Sequence, residues 1–152
     1  TEYGYYFIMI PVGFMSGNYV ARHFGGEISI DSMISIGASI GVFGIVVAII
    51  LQILGLSTPL ALFLPIAFAV FGNGITLPNA QAAAINEFPE YAGTASGLTG
   101  FLQMGISSVA AQVVALIFNE TVYPLLCMML VASIISLVTF RWGVLNFRKA
   151  PV

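Results

Sequence analysis

Charge is what this sequence has least of. Asp, Glu, Lys and Arg together make up 7% of its 152 residues, where soluble domains carry about 25%. That scarcity excludes a soluble globular chain with a solvated surface. The net charge of −2 implies neither a nucleic-acid partner nor an acidic surface ligand. A single cysteine, Cys127, excludes a disulfide framework and a cysteine-based metal site within one chain. With one histidine, His23, and no cluster of His, Asp, Glu or Cys, no metal ligand set is offered and no cofactor is implied. Low-complexity tracts are also absent.

What is present is apolar: 59% of the residues are hydrophobic. No charged residue falls between Tyr3 and Ala21, Ser32 and Asn86, Tyr91 and Asn119, or Thr121 and Phe140. A helix needs about 20 apolar residues to cross the hydrocarbon core of a bilayer, so three of these windows hold one span each. The second window is too long for one span, and "GLSTP", Gly55 to Pro59, supplies a turn within it. The expected fold is therefore an all-α membrane protein of five transmembrane helices, about 3–22, 32–54, 59–87, 92–118 and 121–145. A barrel would need short alternating segments, and these runs are continuously apolar.

The chain begins at Thr1 and enters a span almost at once, which reads as a piece of something longer that lacks its beginning. Five crossings put Arg22, Arg141, Arg148 and Lys149 on one side of the membrane and Glu2 and Glu120 on the other. The positive-inside bias then places the N-terminus outside and the C-terminus in the cytoplasm, with the acidic "EFPEY" loop counting little against it.

Helices in lipid associate through small residues that let backbones approach. In the second span Gly37, Gly41, Gly44 and Ala48 share one helical face and read as a packing seam. The fourth span carries Gly93, Gly97 and Gly105 on one line and Ser96, Gly100, Gln103 and Ser107 on a neighbouring one. The first line suits packing. The second suits either helix contact or a polar cavity, the amide of Gln103 needing partners at mid-depth.

The third span contains "GNGITLPNAQAAA", Gly72 to Ala84, with two glycines, two asparagines, a glutamine and a proline. Pro78 frees the carbonyl of Gly74, while Gly72 and Gly74 permit a close neighbour and ease bending. Freed carbonyls and amides in a membrane must meet protein or water. Two readings are open: a static kink in a packed helix, or a hinge lining the cavity of a transporter. An enzyme finds little support: "GTASG" has the wrong spacing for a nucleophile elbow, and a serine nucleophile would need His23 beside Ser96. A small self-associating membrane module is a further alternative.

"NGITLPNAQAAAINEFPEYAGTASGLTGFLQMG", Asn73 to Gly105, resembles the tenth to eleventh transmembrane region of major facilitator superfamily drug exporters of the bicyclomycin-resistance type. The family pattern is matched at Pro78, Asn79, Ala80, Ala82, Ala92, Gly93, Ala95, Ser96, Leu98, Gly100 and Gln103. "YGYYFIMIPVGFMSGNYVARHFGG" is similar to the family's eighth helix and the loop after it. The resemblance covers the whole chain, as the last five of twelve helices in the six-helix C-terminal half of that fold. It implies efflux of small hydrophobic or amphipathic drugs across a bacterial inner membrane, in exchange for protons and by alternating access. It also implies that helices missing from this chain complete the cavity.

The resemblance makes Tyr6, Met9, Asn73, Gln103 and Ser107 the lining candidates. Gly72, Gly74, Pro78, Asn79, Gly93, Gly97 and Gly100 then serve as hinge or helix-packing residues. Arg22 occupies the arginine of the superfamily's cytoplasmic gating loop, where Ala21 replaces the usual acid, so an interfacial anchor competes with a gating salt bridge. No charged residue lies deep in any span, so a proton-carrying carboxylate would be elsewhere in the longer protein.

Overall fold

The computed structural model describes residues 2–56, 58–87 and 89–147 and is all-helical among them. Its helices are α1 (Glu2–Phe7), α2 (Met9–Phe24), α3 (Ile30–Ile53), α4 (Pro59–Glu87), α5 (Ala92–Leu116) and α6 (Tyr123–Phe147), with one 3-10 turn at Pro89–Tyr91. Four segments among the described residues are long and apolar enough to cross a membrane: Ile30–Ile53, Pro59–Glu87, Pro89–Leu116 and Tyr123–Val144. The first expected span is instead two helices that meet at Ile8. Pro11 is the reason. It has no N–H to offer the Phe7 carbonyl four residues back, and its ring crowds that carbonyl. The Ile8 N–H bonds instead to Tyr5 O at 3.3 Å, an i to i−3 contact.

The turn between α3 and α4 follows from its residues. Gly55 adopts φ +77°, the left-handed conformation that glycine takes without a Cβ penalty. Leu56 N–H then donates to Leu51 O and Gly55 N–H to Gln52 O, both at 3.1 Å, which satisfies the last carbonyls of α3. Thr58 Oγ1 accepts from Ala61 N–H at 3.3 Å, and Pro59 occupies the first helical position, so α4 starts with a cap and a preset φ.

α4 is the centre of the bundle, with α3 on one flank and α2 on the other. The seam on α3 meets a matching stripe on α4, Pro65, Ala69, Gly72 and Thr76, and the two run antiparallel. A Cβ built on Gly44 would lie 2.7 Å from Ala69 N and 2.8 Å from Pro65 O, and one on Gly37 would lie 2.6 Å from Gly72 O. On the opposite flank Gly13 abuts Ala67, while Gly17 abuts Phe71 and Gly74, so α2 runs parallel to α4. Two apolar clusters close the ends of this glycine-rich middle: Ala21, Met33 and Ile75 at one end, and Ala48, Ile66 and Leu126 at the other. No polar residue among those described is buried. Lipid is as apolar as these side chains, so close van der Waals contact, rather than escape from water, holds the helices together.

Through Leu126 the start of α6 packs on α3 and α4. Its far end lies near Asp31, Ala83 and Glu87, so α6 is parallel to α4. α5 runs back beside the first half of α6, with Ala110 and Val114 facing Met128 and Met129 across a groove. None of its residues is buried.

Candidate functional site

The glycines that flank Asn73 serve different neighbours. One residue apart from Asn73 on either side, Gly72 and Gly74 point to nearly opposite flanks of α4. A Cβ on Gly72 would meet the Gly37 carbonyl and lie 2.7 Å from Gly41 N, both on α3. A Cβ on Gly74 would meet the Phe14 carbonyl and lie 3.1 Å from Gly17 Cα, both on α2. Each glycine is thus a backbone-to-backbone contact.

Asn73, held between these contacts, is exposed, and its Oδ1 lies 4.0 Å from the position of a Cβ on Gly41. Its amide forms no hydrogen bond among the described residues. Two other polar side chains of α4, Thr76 and Asn79, turn back onto its own carbonyls. Thr76 Oγ1 donates to Gly72 O at 3.0 Å. Asn79 Nδ2 donates to Ile75 O at 2.7 Å and stands 3.5 Å from Met33 Sδ. Asn79 therefore satisfies itself within the α3–α4 contact. Pro78 is half-buried inside a helix that continues to Glu87. The carbonyl it frees belongs to Gly74, the residue clamped against α2.

Tyr6 on α1 stacks on Phe63 of α4, with ring centroids 6.3 Å apart and planes at 21°. Met9, the first residue of α2, is half-buried. Gln103 and Ser107 are exposed on α5, and the Gln103 amide likewise forms no hydrogen bond among the described residues. Cβ atoms at Gly93, Gly97, Gly100 and Gly105 would meet nothing within 4 Å. The small-residue lines of α5 are unfilled by the described residues, unlike those of α2, α3 and α4. The chain thus brings Tyr6 to α4, while Gln103 and Ser107 stand on a helix outside the tight core.

Arg22 is exposed in the last turn of α2, where a cation complements the helix dipole. The neighbouring His23 ring is stacked 6.2 Å from Tyr19 and edge-on to Phe24 at 5.0 Å. Arg141 occurs near the end of α6, at the same end of the bundle. Arg148 and Lys149, the other basic residues of the orientation argument, lie outside the described residues. A groove of about 400 Å³ at this end is lined by Asp31, Glu87, Thr139 and Phe140 among others. No group of three His, Cys, Asp or Glu among the described residues is placed to hold a metal.

Two packing features went unread in the sequence. Gly13, Gly17 and Ala21 recur at steps of four in "GFMSGNYVA", and Pro65, Ala69, Gly72 and Thr76 repeat the four-three-four spacing of the α3 seam. The same small-residue rule that picked out α3 would have found both.

Compared with known proteins, the chain matches no protein-family model and no solved structure. It is 26% identical over 140 residues, 91% of its length, to the bicyclomycin resistance protein homolog of Haemophilus influenzae. The match spans 35% of that relative's length. Apolar helices and this likeness together describe an integral membrane chain similar to part of a drug-resistance protein.

Proposed function

We propose that the chain is the C-terminal part of a drug exporter of the major facilitator type, a transporter rather than an enzyme. The observation that carries this reading is the likeness to a bicyclomycin resistance protein homolog across 91% of the chain. In this account the longer protein resides in a bacterial inner membrane. It binds small hydrophobic or amphipathic compounds between two helical halves and exports them by alternating access in exchange for protons. Arg22 anchors the cytoplasmic end, where Arg141 also lies, and the N-terminus of this chain faces outside.

Asn73, Gln103 and Ser107 line the cavity, together with the adaptable apolar surfaces of Tyr6 and Met9. An amide without a partner is costly in hydrocarbon, and a water-filled cavity gives the exposed Asn73 and Gln103 amides theirs. Gly72 and Gly74 serve packing. Pro78 sets a fixed shape, because the carbonyl it frees sits on the residue locked to α2. Gly93, Gly97 and Gly100 form the packing face that the missing N-terminal helices cover.

The test is efflux by the full-length protein in cells stripped of their own exporters. Cells expressing it are expected to accumulate less of a lipophilic cationic dye, and a protonophore is expected to abolish the difference. Dye levels equal to those of control cells would remove the exporter reading, and protonophore-resistant efflux would remove proton coupling.

A further inference from the structure

We propose that Pro11 and Pro65 form one transverse hinge, about which α1 and the start of α4, residues 59–64, swing together as an end gate. The register of the two parallel helices carries the idea. Gly13 lies on Ala67 and Gly17 on Phe71. Two residues before the first pair, the same register sets Pro11 level with Pro65. Each proline withholds a donor from the carbonyl four residues back, Phe7 and Ala61 respectively, and its ring crowds that carbonyl. Two packed helices are thereby weakened at the same depth, where sharp helix bends occur.

On one side of this plane the chain is locked. Gly17 and Gly74 join α2 to α4 backbone to backbone, and Gly37, Gly44 and Gly72 do the same for α3 and α4. Bending there would drive main-chain atoms into one another. On the other side the contact between α1 and α4 includes the stacked rings of Tyr6 and Phe63, which couple the two short segments to each other.

Space flanks the α4 segment on both sides. A groove of about 550 Å³ separates Leu60 and Leu64 from Phe43 and Val47 of α3. A second space of about 330 Å³ lies between Pro59 and Thr121 and Tyr123 at the start of α6. Leu62 tethers the segment beside Val122 at the edge of the Leu126 cluster, and Gly55 in the preceding turn already holds a left-handed conformation.

Spin-label distances in the full-length protein in lipid vesicles test the hinge. One label pair, at Tyr5 and Tyr19, crosses Pro11; the other, at Leu60 and Asn73, crosses Pro65. Both distance distributions are expected to show two populations. Pro11→Ala is expected to remove the second population from both, because the ring stack drags α4 with α1, and Pro65→Ala should do the same. Pro78→Ala should leave both distributions double. Adding Phe63→Ala to Pro11→Ala should restore the second population across Pro65 alone. Single narrow distributions in the parent protein would overturn the hinge, and so would Pro11→Ala acting on the Tyr5–Tyr19 pair alone. The hinge requires no transport activity, so its failure leaves the exporter reading intact.

Discussion

Gly72→Leu is expected to abolish the folded form of this chain. A single Cβ at this position already meets the Gly37 carbonyl, with Gly41 N at 2.7 Å and Gly41 Cα at 3.2 Å. All three are main-chain atoms of a helix, so no rotamer change relieves the overlap. Extra methylenes in a packed core cost about 1–3 kcal/mol where side chains can yield. Here α3 itself must move, and its movement opens the contacts of Gly44 with Pro65 and Ala69. Because small-residue contact replaces the hydrophobic effect between helices in lipid, the loss has no compensation.

The measurement is the yield of monodisperse protein in mild detergent and its protection from proteolysis. Gly26→Leu is the matched control, since a Cβ there meets nothing within 4 Å. Gly26→Leu should keep the parent yield while Gly72→Leu is lost to aggregation. Equal yields from the two variants would show that the α3–α4 seam does not hold the bundle.

Asn73→Ala combined with Gln103→Ala should have the opposite signature: full yield and failing efflux. Both side chains are exposed and neither amide is hydrogen-bonded among the described residues, so no folding contact is lost. If each amide donates or accepts one bond to substrate or cavity water, its removal costs about 0.5–1.5 kcal/mol. One such bond is worth roughly a factor of ten at the upper end in affinity. The double variant, losing about 1–3 kcal/mol in all, is expected to raise the substrate concentration for half-maximal efflux by about 5- to 150-fold. Efflux kinetics in inverted membrane vesicles check this, with protein amount fixed by immunoblot. Unchanged kinetics would remove both residues from the lining.

The long apolar helices were legible because charge is rare: three of the four uncharged gaps are about as long as one bilayer crossing, and the fourth holds two crossings divided by a turn. The turn was legible because Gly55, Thr58 and Pro59 each have one conformational job there. The break at Ile8 was not read, since Pro11 sits in a run whose hydrophobicity never falters, and hydropathy does not register a missing N–H. Gly72 and Gly74 were read together as places of close approach and easier bending. That they face two different helices follows from the parallel and antiparallel neighbours of α4, which no local pattern specifies. In α5 the small-residue spacing was visible, but whether it is filled depends on which helix lies opposite. Of the two asparagines of α4, Asn73, read as a lining residue, is open, while Asn79, read as a hinge or packing residue, bonds to its own helix.

The central claim is that Asn73 and Gln103 face a water-filled cavity that changes access during transport. Single cysteines at these positions, in a full-length protein whose exposed Cys127 has been replaced by serine, can be challenged with a membrane-impermeant thiol reagent from either side. The account expects both cysteines to be modified, from the outside when the protein is trapped outward-open and from the cytoplasm when it is trapped inward-open. Protection of both cysteines in both states would contradict it.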